Sequence, residues 1–314
     1  MKTVAVIGRG KIGAGLLKEL SSKNWRVRFS LDKSGLYSNG RKIDIARNYK
    51  KHSKGLDCVF LAIPTFDDGK TAFDFIKFFV RQNIPVITCE KGALSNYYLQ
   101  LKPFINKIGY SATVGGGTRL LEYIQARHTK NFIEISAVVN GTLNFIFDEV
   151  ARGKHIERTV AEAVKCGYAE PGATTPLEII NTELRDVLLK SVILFNTLRL
   201  SSKILKAKNI KLKLVSSDDF KKIIQNRMKC VVSISKRPKR ITGGFHSKNG
   251  QWYLSAGFKK TSDSWLPSGV NNALFIKERV GCYLLQGPGA GVEPTIFSMI
   301  QDAKKEFAGK SVYR

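Results

Sequence analysis

Hydrophobic and polar positions follow two regimes along the chain. Thr3–Ile7 is a short β-branched and apolar run and predicts a strand; beyond it Ile12, Leu16, Leu17 and Leu20 recur at helical spacing. Arg26–Leu31 alternates and predicts a second strand ending at Asp32, and Cys58–Pro64 is continuously apolar and predicts a third. Ile84–Thr88 predicts a fourth, after a helix rich in Phe (Phe73, Phe75, Phe78, Phe79), and Tyr110–Val114 a fifth. Strands buried on both faces and separated by helical stretches predict a parallel α/β sheet. After about residue 130 the pattern changes. Phe132–Val139 predicts a strand, and Thr142–Val150, Arg158–Lys165 and Leu177–Leu198 predict helices. Cys230–Ile234, Gln251–Ala256 and Cys282–Gln286, joined by polar turns, predict an antiparallel or mixed sheet before a closing helix over Thr295–Phe307. The expected class is therefore α/β: an N-terminal dinucleotide-type parallel sheet over residues 1–130, a second α+β domain over 131–290, and a C-terminal helix over 291–314.

A chain of 314 residues has room for about two domains with substantial cores. Its 52 Lys+Arg against 25 Asp+Glu leave a formal charge of +27, a field that attracts acidic metabolites, nucleotides, nucleic acid or acidic lipid. Two basic runs, Lys203–Lys213 and Lys236–Arg240, could contact phosphates, but they lack interleaved aromatics for base stacking and any nucleic-acid module. A solvated basic face accounts for them, and neither nucleic acid nor membrane is expected as a partner. No apolar run approaches a membrane span, and MKTVAVIG runs directly into a glycine-rich motif, so it reads as a strand and not as a leader. The five cysteines and four histidines are scattered without metal-ligand spacing. Buried free thiols in a cytoplasmic protein, and no metal, are expected. Composition excludes a collagen-like or coiled-coil rod and a disulfide scaffold.

The first specific chemistry is Gly8-Arg9-Gly10-Lys11-Ile12-Gly13, which joins the first strand to the first helix, the context a dinucleotide fingerprint requires. Gly8 permits the tight turn, Gly10 lets a pyrophosphate approach the backbone, and Gly13 allows close helix packing; the helix N-terminus would hold the phosphates. Asp32 lies 19 residues after Gly13, where a carboxylate can take the ribose hydroxyls of NAD. Arg9, Lys11 and Lys33 could instead pair with the 2′-phosphate of NADP, and Asp32 could simply cap the turn Asp-Lys-Ser-Gly. NAD and NADP both remain open.

Further segments stand in order along the chain: Val86-Ile-Thr-Cys-Glu-Lys-Gly-Ala93, Ala112-Thr-Val-Gly-Gly-Gly117, Val139-Asn-Gly-Thr-Leu-Asn144, Gly167-Tyr-Ala-Glu-Pro171, Asp186 with Lys190, and Gln286-Gly-Pro-Gly-Ala-Gly291 before Pro294-Thr295. Together with the glycine-rich turn this set resembles homoserine dehydrogenase across nearly the whole chain. The resemblance implies a Rossmann-type nucleotide domain joined to a catalytic and dimerisation domain, with the closing helix returning to the former. It implies a homodimer and reversible reduction of aspartate 4-semialdehyde to homoserine with NAD(P)H, a step toward threonine, methionine and isoleucine. It gives Lys190 the proton-transfer role and Asp186 a substrate-orienting one, with Lys91 as second active-site lysine. By the spacing alone, Asp186 and Lys190 form an i,i+4 pair that a plain surface ion pair would also explain. Glu170, Thr113 and Gly117 are implied substrate contacts. Pro64, Lys91, Gly289 and Gly291 join the turn residues Gly8, Gly10, Lys11, Ile12, Gly13, Asp32 and Lys33 as cofactor contacts. Asn140 and Gly141 match a segment sometimes linked to bound sodium, although an architectural glycine explains them as well. The chain has no room for a regulatory ACT domain or an aspartate kinase fusion after its closing helix, as the sequence stands.

Three segments depart from the family pattern. The stretch from Glu170 to Asp186 is longer than usual and lacks the customary aspartate, for which Glu178, Asn181 and Glu183 compete. Cys89-Glu90 stands where the family has Ala-Asn or a close variant, and Thr118-Arg119 where it has an aliphatic residue and proline. The alternatives these changes open are a reductase of the same plan acting on another amino or oxo acid, or a nucleotide-binding homologue that has lost catalysis.

Overall fold

A computed structural model describes residues 1–21, 25–127, 131–168, 175–260, 263–289 and 291–308. The chain forms two compact units, Met1–Thr113 with Thr295–Arg314, and Val114–Pro294. The change of unit falls after Thr113 and not near residue 130, because Leu120–Gln125 packs within the second unit and the Thr118 hydroxyl donates to the Pro288 carbonyl at 3.0 Å.

The first unit is built on a seven-stranded sheet of order β4-β3-β2-β1-β5-β6-β7. Its parallel part comprises β1 (Lys2–Ile7), β2 (Trp25–Asp32), β5 (Cys58–Leu61), β6 (Val86–Thr88) and β7 (Ile108–Gly109). Val4, Val6, Phe60 and Ile87 are fully buried, as a parallel sheet covered on both faces requires. Helices α1 (Lys11–Ser21), α2 (Lys70–Arg81), α3 (Gly92–Asn96) and α4 (Tyr98–Leu101) belong to this unit. So does most of the last helix, α10 (Val292–Ala308), whose Ile296, Met299, Ile300 and Ala303 join Leu16, Leu20 and Phe60 in one core.

Two features depart from the pattern expected of the sequence. β3 (Gly35–Ser38) and β4 (Arg41–Asp44) extend the β2 edge antiparallel; β4 is mostly exposed and has no apolar alternation to announce it. Tyr110–Val114 is not a strand. The Asp302 carboxylate accepts the Ser111 N–H at 2.8 Å, which diverts that amide from a ladder, and Ser111–Thr113 coils into a 3₁₀ turn.

The second unit holds a six-stranded antiparallel sheet of order β10-β11-β9-β8-β12-β13, formed by β8 (Phe132–Val138), β9 (Lys229–Ser235), β10 (Thr242–Asn249), β11 (Trp252–Lys259), β12 (Asn271–Glu278) and β13 (Cys282–Pro288). Helices α5 (Leu120–Gln125), α6 (Gly141–Ala151), α7 (Ile156–Lys165), α8 (Pro176–Leu198) and α9 (Ser217–Gln225) accompany it. The 23-residue α8 begins with proline in its first turn and a reciprocal capping box between Thr175 and Glu178. Every residue from Ser191 to Leu198 is buried, so its second half threads the core while its first half is free to carry polar chemistry on one face. Along the Lys203–Lys213 stretch Lys203, Lys208, Lys211 and Lys213 are exposed and Lys206 partly so, and Lys213 is tied to the sheet edge by paired backbone bonds with Gly244. The expectation of uniformly buried thiols fails: Cys58 is buried and Cys89 and Cys230 partly so, but Cys166 and Cys282 are exposed, on a turn and on an edge strand. No described helix is long and apolar enough to cross a membrane, and no described group of His, Cys, Asp and Glu could hold a metal ion.

Candidate functional site

In the first unit, β1 runs into the glycine turn. Gly8 has φ +97° and donates its N–H to the Leu31 carbonyl at 2.8 Å; a Cβ there would lie 2.1 Å from the Ala62 carbonyl oxygen. A Cβ on Gly13 would lie 1.9 Å from the Gly8 oxygen, so α1 can approach the strand end only without one. A Cβ on Gly10 would meet nothing within 4 Å. Two glycines thus close the turn and the third leaves an open cradle at the N-terminus of α1, whose first amides have no partner within the helix. The residues fit a dinucleotide pyrophosphate. Lys11 and Pro64 are exposed and Ile12 partly so.

At the end of β2, Asp32 has two partners. Oδ1 accepts the Ser34 N–H at 2.8 Å, which makes it a turn cap, and Oδ2 lies 3.3 Å from Nη1 of Arg9. The Arg9 guanidinium stacks 3.9 Å from the centroid of the Tyr37 ring. Lys33 follows in the exposed turn.

Lys91 stands at the N-cap of α3, on a loop that Glu90 organises. The buried Glu90 carboxylate accepts from Thr65 Oγ1 at 2.5 Å, from the Gly92 N–H at 2.6 Å and from the Ala93 N–H at 2.8 Å; its own N–H goes to Thr88 Oγ1 at 3.0 Å. The Glu90 departure is therefore a built-in cap that fixes the backbone on either side of Lys91, and an acidic residue two positions before a helix start was the signal for it. Burial pushes the neighbouring Cys89 thiol up to about 11, against a smaller opposing pull from Lys91, and the net shift favours the protonated thiol.

Thr113 is buried and its hydroxyl donates to the Tyr110 carbonyl at 2.7 Å, closing its own turn. In the second unit Gly115 and Gly116 have φ of +84° and +51°, and a Cβ on Gly116 would lie 2.6 Å from the Gly289 oxygen. Gly117 fits against Pro288 and Pro294 in the same way, so Gly116 meets Gly289 and Gly117 its flanking proline. Gly291 has φ +121° at the start of α10. Of the Thr118-Arg119 departure, Thr118 holds Pro288 and Arg119 pairs with Glu122 at the start of α5. Both are structural tasks.

In the second unit a polar cluster lies about the middle of α8. Lys190 Nζ is 2.6 Å from Asp186 Oδ2, with the lysine side chain 15% and the aspartate 21% exposed. Asn140, the N-cap of α6, accepts the Leu143 N–H at 2.8 Å through Oδ1 and points its amide at the two carboxylates: Nδ2 donates to Glu183 Oε2 at 2.6 Å and to Asp186 Oδ2 at 3.1 Å. Residues 183, 186 and 190 share one helical face. The three competitors for the missing aspartate now separate. Glu178 caps α8 through Thr175, about 12 Å along the helix from Asp186 at 1.5 Å per residue. Asn181 pins Val215, accepting its N–H at 2.8 Å and donating to its carbonyl at 3.0 Å. Glu183 shares the Asn140 amide with Asp186, which places it in the Lys190 cluster, whereas Glu178, the substrate contact expected from the sequence, is engaged at the start of the helix. Glu170 and Ala290 lie outside the described residues.

A Rossmann-type nucleotide unit paired with an α+β unit that carries a lysine–carboxylate cluster on one helix defines a class of two-domain dinucleotide-dependent proteins. The homoserine dehydrogenase family model matches residues 121–303, and the chain belongs to that family. It is 22% identical over 241 residues to homoserine dehydrogenase of Sulfurisphaera tokodaii, covering 76% of this chain and 72% of that one. It is 28% identical over 243 residues to an NAD(+)-dependent homoserine dehydrogenase of Pseudomonas canavaninivorans, covering 75% and 66%. In fold it matches a hyperthermophilic archaeal homoserine dehydrogenase solved in complex with NADPH, with a TM-score of 0.72, 19% identity and 98% of each chain covered.

Proposed function

We propose that this protein catalyses the reversible NAD(P)H-dependent reduction of L-aspartate 4-semialdehyde to L-homoserine, as a cytoplasmic homodimer. The Asn140–Glu183–Asp186–Lys190 cluster carries the proposal, on a chain that belongs to the family. The bound dinucleotide supplies the hydride. Reduction of an aldehyde leaves charge on its oxygen, and an ammonium held in place both stabilises that charge and donates the proton. Lys190 is the donor. Asp186 fixes its direction at 2.6 Å, and Asn140 fixes Asp186. Lys91 is the second lysine, held in register by the Glu90 cap. Glu170 takes the substrate ammonium, as the family motif implies.

Homoserine-dependent reduction of NAD and NADP, followed by absorbance at alkaline pH, tests this directly. Turnover is expected; dinucleotide binding with no turnover of homoserine would assign the site to another amino or oxo acid or to a lapsed enzyme. Two α8 variants separate the carboxylates in the same assay. Glu183→Ala removes a charged hydrogen-bond acceptor of the kind worth about 1.5–3 kcal/mol, so kcat should fall about tenfold or more. Glu178→Ala removes only half of a capping box, worth about 0.3–1.5 kcal/mol, and should lower Tm by a few degrees with kcat kept. A reversed order would give the substrate role to Glu178.

A further inference from the structure

We propose that the corner at the end of β2 selects the 2′-phosphorylated dinucleotide, NADP(H), over NAD(H), and that Arg9 is the residue that reads the phosphate. This rests on the glycine turn binding a dinucleotide, as proposed above, but not on which substrate is turned over.

The carboxylate that would otherwise reject a 2′-phosphate is already compensated. Asp32 is occupied at Oδ1 by the Ser34 N–H and faces the Arg9 guanidinium at Oδ2. The 3.3 Å Arg9–Asp32 separation is long beside the about 2.7–2.9 Å of a strong charge-assisted bond. Arg9 also lies over the face of Tyr37 at 3.9 Å, a contact that suits a planar guanidinium and leaves its edge for hydrogen bonds, and its Nε is buried without a hydrogen-bond partner among the described residues. Arg9 and Asp32 side chains are each about three-tenths exposed, so solvent and ligand reach them.

The surrounding charge has the same sign. Lys33 follows Asp32 in the exposed turn, and the Lys42 side chain crosses Gly35, which pairs with Asp32 in the β2–β3 ladder; a Cβ on Gly35 would lie 2.6 Å from Lys42 Cε. The other carboxylate of this edge, Asp44, is engaged by His52 at 2.9 Å and Asn48 at 2.8 Å. One cation thus faces a committed carboxylate, with Lys33 next to it in sequence and Lys42 over its ladder partner Gly35, and a phosphate of charge about −1.5 to −2 is the complement of that corner. A ribose hydroxyl has no use for it.

Binding of two nucleotide fragments, measured by calorimetry on the full chain, tests the proposal without turnover. Adenosine 2′,5′-bisphosphate should bind at least tenfold tighter than 5′-AMP, with the ratio shrinking as salt rises. Arg9→Ala should remove most of that ratio while 5′-AMP binding stays, and Lys42→Ala, on an exposed strand, should lower it by a smaller factor. Equal or tighter binding of 5′-AMP, abolished by Asp32→Ala, would overturn the proposal in favour of ribose-hydroxyl recognition. Binding of neither fragment would overturn the dinucleotide site itself. Absence of homoserine turnover with the expected ratio intact would strike the substrate assignment and leave this proposal standing.

Discussion

Replacement of Lys190 by alanine should lower kcat for homoserine oxidation by about 10²–10⁴-fold, the contribution of a positioned proton-transfer group. Dinucleotide affinity should change little, since Lys190 is no part of the glycine turn that would hold the phosphates. The variant should fold: Lys190 is partly exposed on α8, and Asp186 keeps its bond from Asn140 at 3.1 Å when the lysine is gone. The loss should therefore appear in kcat, with Tm within a few degrees of the parent. Lys190→Arg gives the sharper comparison. Arginine preserves the charge and the ion pair with Asp186 but is not deprotonated in proteins, so it cannot take up and release a proton. Recovery of Tm without recovery of kcat would assign proton transfer to the residue; wild-type turnover in either variant would remove Lys190 from the mechanism and leave its pair with Asp186 a helix-surface contact of a few tenths of a kcal/mol.

What was legible in the sequence is what depends on neighbours along the chain. Strand, glycines and helix over residues 3–20 follow from local pattern, and so does the i,i+4 spacing of Asp186 and Lys190. What was not legible depends on partners far away. Glu178, Asn181 and Glu183 are equivalent by spacing; Asn181 is committed to Val215, 34 residues later, and Glu183 to Asn140, 43 residues earlier. Tyr110–Val114 has strand composition, yet the Asp302 carboxylate, 191 residues beyond Ser111, takes an amide a strand would need. The β3–β4 edge carries Ser38, Arg41, Lys42 and Asp44, and its pairing with β2 outweighs weak local preference for a strand. Glu90 stood out as a family departure and its place before a helix start marked it as a cap, but its tie to Thr65, 25 residues earlier, was not readable. In each case the residue type was readable and its long-range partner was not.

The three glycines of the turn should respond differently to the same substitution, and the order separates folding from binding. Gly8→Ala should be the most damaging to the fold. Its backbone sits at φ +97°, where an L-residue is strained by about 1–2 kcal/mol, and the new methyl would overlap the Ala62 carbonyl oxygen at 2.1 Å. That oxygen is backbone at the end of the central β5 strand and has no rotamer to escape into, so β1 and β5 must separate. Gly13→Ala meets the Gly8 carbonyl at 1.9 Å and should lift α1 from the strand end, with the loss of dinucleotide binding preceding the loss of fold. Gly10→Ala meets nothing within 4 Å and should leave Tm within a degree or two. Its methyl would instead occupy the space where a pyrophosphate approaches the backbone, and affinity should fall at least tenfold, about 1.4 kcal/mol. Thermal melts with and without dinucleotide read both quantities, because a ligand that binds only the native state raises Tm with its concentration over Kd. Gly8→Ala should show a melt lowered by several degrees or lost, whereas Gly10→Ala should show the parental melt with little upshift from the dinucleotide. A Gly10→Ala protein that keeps the full upshift would mean that the pyrophosphate does not pass over the turn, and the open cradle at the N-terminus of α1 would then be a consequence of the strand–helix junction alone.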